Sequence, residues 1–183
     1  MPRVTRMGLS LCAAIALACG LLAGSVSAQA AVIAQPTSTI TNQAVDAVRS
    51  VTAFRTEIGA LLDDYLARYG GRLAPAERTR MTRLADKVDV DLARLERTAA
   101  STARHLQHGR PKFAASSARR AALSYERAYA EATVTLAEVQ PILQPHLGIL
   151  EALEAKAQVD AQFARFRSVG DQLTSVSKAL NQK

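Results

Sequence analysis

The chain is 183 residues long, 49% hydrophobic but only 4% aromatic, and carries a formal net charge of +7. That length supports one hydrophobic core and one domain, and the positive balance favours anionic partners over cationic ones. Cys12 and Cys19 both fall in an N-terminal segment that reads as removable, which excludes a disulfide framework in the mature protein.

Arg3 and Arg6 form a positive n-region, followed by an uncharged apolar stretch from Leu9 to Leu22. Small residues from Ser25 to Ala31 then offer cleavage after Ala28 or after Ala30. Residues 1–30 are therefore read as a secretory signal, and the mature chain as exported, either periplasmic or extracellular. An uncleaved anchor fits less well, because the apolar run is shorter than the ~20 residues that span a bilayer. A lipoprotein acylated at Cys19 also fits poorly: Ala16 stands where a larger aliphatic residue is usual, and the apolar run continues through Leu21 and Leu22. Losing the two charges of Arg3 and Arg6 lowers the net +7 to +5 for the mature protein.

Residues 31–38 contain Pro36 and no periodic pattern, and read as a flexible leader; residues 39–183 read as a single helical domain. In the first helix Val48, Val51, Ile58, Leu62, Tyr65 and Tyr69 recur at helical spacing until Gly70 and Gly71 end it. The second opens at Ala74-Pro75-Ala76-Glu77, with proline suited to the first helical position and glutamate to the helix dipole. Met81, Leu84, Val88, Leu92, Leu95, Thr102 and Leu106 then form one stripe. Val88 to Leu92 alternates like a strand, yet the stripe keeps phase on both sides, so this run is predicted helical.

Gly109-Arg110-Pro111 stops the second helix. A third runs from about Lys112 to Val139, with Ala118, Ala122, Tyr125, Ala132, Leu136 and Val139 expected to face inward. Pro141 and Pro145 favour a break, after which a fourth helix carries Leu150, Leu153, Phe163, Phe166, Leu173, Val176 and Leu180 from about His146 to Asn181. Four helices of similar length with short connections predict an all-α fold, an antiparallel up-down-up-down four-helix bundle. If the prolines only kink the chain, the alternative is a three-helix bundle with a long last helix. The alanine-lined third helix is expected to be the weakest wall, since a methyl releases less free energy on burial than a leucine side chain.

Catalytic and cofactor chemistry find little support. No Cys-x-x-Cys-His, Glu-x-x-His pairing, Gly-x-Ser-x-Gly, phosphate loop or His-Glu-x-x-His occurs, and Ser116 and Ser117 have no evident base. His105 and His108 are weak metal candidates because they share a helix face, but His146 belongs at the other end of the bundle and cannot join them. No cofactor and no catalytic residue is therefore expected. Tyr65 with Tyr69, and Tyr125 with Tyr129, read as staples between helices rather than as a stacking platform, so no specific nucleic-acid partner is implied.

Charge is the informative feature. From Arg97 to Tyr125 there are six basic residues and no acidic one. Arg104, Arg110, Lys112, Arg119 and Arg120 are the candidate anion- or partner-binding residues, and Lys178 and Lys183 should lie at the same end of a bundle. The expected function is a non-catalytic exported interaction protein, whose basic hairpin tip docks on an anionic envelope component or protein, including a peripheral membrane contact. Two alternatives stay open: a periplasmic cofactor- or metal-carrying bundle, and an assembly subunit or chaperone of a secretion or pilus system.

Overall fold

The computed structural model describes residues 37–182; the segment read as a signal, most of the segment read as a leader, and Lys183 lie outside the described residues. Four helices of 33 residues each follow one another: α1 (Thr37–Tyr69), α2 (Pro75–Gln107), α3 (Pro111–Leu143) and α4 (Ile149–Asn181). At about 1.5 Å per residue each is roughly 50 Å long. Each helix packs against its two neighbours in the cycle α1–α2–α3–α4–α1, and the protein is an up-down four-helix bundle. Helix α1 begins at Thr37, two residues inside the segment expected to be leader.

The connections explain why the helices stop where they do. Ala74 precedes α2 and donates its backbone N–H to the Glu77 carboxylate at 2.9 Å, and Gly148 does the same to Glu151 at 2.8 Å at the start of α4. Each glutamate satisfies an amide that the helix itself leaves without a partner. At the α2–α3 turn Gly109 takes the left-handed φ of 64°, and the Arg110 N–H reaches back to the His105 carbonyl at 2.8 Å. This Schellman closure needs a residue free of a Cβ at position 109. Helix α3 runs through Pro141 for two more residues, then gives way to a 3-10 turn at Gln144–His146 and to extended backbone at Leu147 and Gly148. The prolines thus accompany a true break, and the kinked three-helix alternative is not what the chain adopts.

The core has three layers. In the middle, Val51 and Phe54 of α1 meet Leu92 and Leu95 of α2, Ala121 and Ala128 of α3, and Phe166 and Leu173 of α4. Phe54 and Phe166 stack with ring centroids 4.5 Å apart, and Tyr125 meets Phe166 edge-on at 5.1 Å. Gly170 makes room for that ring: a Cβ there would stand 2.2 Å from the Tyr125 ring. The Tyr125–Tyr129 and Tyr65–Tyr69 pairs lie along their helices at 5.9 and 5.7 Å, and they reach α4 as staples between helices would: Tyr129 meets Phe163 edge-on at 5.6 Å and Tyr65 donates its hydroxyl to Gln158.

Two sequence expectations about packing are corrected. The buried face of α3 is Ala114, Ser117, Ala118, Ala121, Ala128 and Thr135, while Ala122, Tyr125, Ala132, Leu136 and Val139 are only half-buried at its edges. Alanine on several faces hides the phase of a helix, because no large side chain marks one side. Those alanines let α3 pack closely on α2, and the α2–α3 contact is the most extensive between any two helices of the bundle. The thin packing lies in α4, whose buried residues begin only at Phe166; Leu150 and Leu153, expected inward, are 76% and 56% exposed.

Polar contacts fix the register between helices. Arg55 of α1 forms a two-point pair with Asp89 of α2 at 2.7 and 3.0 Å and reaches Glu96 at 2.9 Å, while Thr52 donates to Glu96 at 2.7 Å. Asp91, on the predicted helical run, is buried between Arg94 at 3.6 Å and Arg127 of α3 at 3.4 Å. No described helix is long and apolar enough to cross a membrane.

Candidate functional site

The α2–α3 hairpin forms one end of the bundle, together with the start of α1 and the end of α4. An apolar layer ties the four together there: Ile40 and Ala44, Leu106, Ala114 and Ala118, Val176 and Leu180. Arg119 of α3 donates from Nε to the Asn181 side chain at 2.8 Å, which places the α4 terminus, and with it exposed Lys178, beside the hairpin. Arg104, Arg110, Lys112, Arg119 and Arg120 are all exposed.

Helix dipoles do not account for this charge. Two helix N-termini (α1, α3) and two C-termini (α2, α4) meet at the tip. Their partial charges, about half a unit each and of opposite sign, largely cancel. The potential comes from the side chains, and they are uncompensated: among the described residues none of Arg97, Arg104, Arg110, Lys112, Arg119 and Arg120 enters an ion pair. The far end is different. Arg68 pairs with Asp64 at 2.8 Å, Arg72 with Glu151 at 3.3 Å, Arg80 with Glu138 at 3.0 Å and Lys87 with Glu131 at 2.5 Å.

His105 and His108 both lie at the tip. His105 packs its ring against Phe113 at 5.7 Å, and His108 is exposed just past the end of α2. His146 sits at the far end against Glu77 at 3.5 Å, as the topology requires. Among the described residues no three His, Cys, Asp or Glu side chains converge as a metal site would need. A void of about 10 Å³ lies between the middle and tip layers, walled mainly by Ala44, Ala47, Ala99, Ala118 and Ala121. It has room for about one water and not for a haem or a dinuclear centre.

Phe113 is the residue that sequence reasoning passed over. It is 62% exposed among the cations of the hairpin. A signal for it existed: it stands one position out of phase with Ala114, Ala118 and Ala121, so a helix that buries those alanines turns Phe113 away from the core. Comparison with known proteins finds no matching family model, no matching curated protein and no matching solved structure.

Proposed function

We propose that this chain is a non-catalytic, exported helical interaction protein whose basic hairpin tip docks on an anionic envelope component. Export is supported by Arg3, Arg6 and the apolar stretch from Leu9 to Leu22, and mature protein recovered from cells should begin at Gln29 or Ala31. The observation that carries the docking reading is the contrast in pairing: cations at the far end are mostly answered by carboxylates, while those of the tip are exposed and without ion pairs among the described residues. Such a surface attracts anions over a Debye length, about 10 Å at 0.1 M salt.

The test is a salt titration of binding to heparin, used as a generic polyanion. The wild-type mature protein should be retained at low salt and released as salt rises. Replacing Arg110, Lys112, Arg119 and Arg120 together by glutamine should abolish retention. Removing the same number of exposed charges elsewhere, with Arg68, Arg80, Arg83 and Lys156 changed to glutamine, should weaken it only slightly. Equal loss in both variants would mean that net charge alone is responsible, and no loss in either would remove the tip as a site.

A further inference from the structure

We infer that the surface met by the tip is an anionic lipid bilayer, with Phe113 entering its interfacial region; this rests on the docking reading above. Phe113 is the third residue of α3, directly after Pro111 and Lys112, and so projects at the extremity of the bundle. It is 62% exposed, and its ring leans on His105 at 5.7 Å, which restricts its orientation without covering it. Folding gains nothing from leaving so large an apolar side chain in water, and rotating α3 to bury it would expose Ala114, which is fully buried.

A soluble polyanion would neutralise Arg104, Arg110, Lys112 and Arg120 but leave this ring in water. A bilayer of anionic lipid answers both features together: headgroup phosphates accept from the guanidinium and ammonium groups, and the acyl boundary just beneath takes the ring. The exposed apolar cluster at the start of α4, Ile149, Leu150 and Leu153, does not have this character, since Glu151 and Glu154 lie among it and an anionic membrane would repel them, and Val90, Leu123 and Val134 are exposed singly along the sides of the helices.

The experiment uses the mature protein and vesicles of phosphatidylglycerol with phosphatidylcholine, alongside the heparin column. Phe113→Ala should weaken vesicle binding about tenfold, the order expected when one phenyl group loses partial burial, while leaving elution from heparin unchanged. The sequence has no tryptophan, so Phe113→Trp provides a single reporter whose emission should shift to the blue when vesicles are added. Circular dichroism of both variants should match wild type, because position 113 is exposed. Wild type that binds heparin but not these vesicles would overturn the lipid inference and leave the docking reading standing. So would Phe113→Ala that binds vesicles as wild type does, or an unshifted tryptophan emission. Failure of the four-glutamine variant to lose heparin binding would overturn the docking reading itself.

Discussion

At the tip end of the bundle every helix gives buried apolar side chains to one layer, α4 through Val176 and Leu180. At the far end the layer is Tyr69, Leu73, Met81, Ile142 and Leu143, and α4 gives it none among the described residues. There α4 is held by polar contacts. Tyr65 donates its hydroxyl to Gln158 at 3.1 Å, Arg165 pairs with Glu57, and Arg72 joins the Glu151 carboxylate while donating to the His146 carbonyl at 3.0 Å and lying over the Tyr69 ring. Exposed ion pairs of this kind contribute about 0–1 kcal/mol each, against roughly 1.5–3 kcal/mol for a fully buried large apolar side chain. The second half of α4 therefore anchors the helix, and the first half follows it.

The largest effect should come from breaking the anchor. Phe166 is 1% exposed and touches the rings of Phe54, Tyr125 and Tyr129, so Phe166→Ala should cost about 3–5 kcal/mol, read as a fall in the urea midpoint. If it costs no more than a surface substitution, α4 is not anchored through this layer and the contrast between its halves collapses.

A smaller effect is expected at Arg55, between the two ends. The Arg55 guanidinium holds the Asp89 carboxyl below the usual carboxylate range, and the Thr52 hydroxyl together with Arg55 does the same for Glu96. Depressed folded-state values mean that this stabilisation is present above the unfolded carboxylate range, near pH 4, and is lost as pH falls through the folded values. Arg55→Gln should lower stability by about 1 kcal/mol at neutral pH, since all three groups are partly exposed. The gap from wild type should close in acid. A gap that persists at low pH would show that Arg55 acts through the packing of its methylene stem instead.

How much of this was legible in the sequence varied with the contrast each helix offers. In α2 the residues Met81, Leu84, Val88, Leu92, Leu95, Thr102 and Leu106 are all buried as their spacing predicts, because charged residues crowd the opposite face. In α3 alanine occurs on every face; of the residues expected inward Ala118 is buried, Tyr125, Ala132 and Val139 are half-buried against the core, and the most buried face lies beside them at Ala114, Ser117, Ala121 and Ala128. In α4 the period of Leu150 and Leu153 was real, but period shows only that residues share a face, not that a neighbour covers it. The tip cations were legible because they are close in sequence. Their link to α4 through Asn181, 62 residues from Arg119, appears only when the chain is folded. The absence of compensating carboxylates from other helices is likewise a property of the fold.

The smallest effect separates the two halves of α4 most cleanly. Replacing Leu150 and Leu153 together by glutamine should change stability by less than about 0.5 kcal/mol, because both positions are more than half exposed and surface changes usually stay within that range. Glutamine and leucine have similar helix propensity, so the substitution tests burial and little else. The same leucine-to-glutamine change at Leu173, which is 5% exposed, removes a core side chain and leaves an amide in its place. A double variant that melts well below wild type would therefore mean that something covers this half of α4 in solution. The dependence on concentration identifies it: a loss that appears only at high protein concentration points to a second copy of the chain, and a loss at every dilution points to α4 closing onto its own bundle.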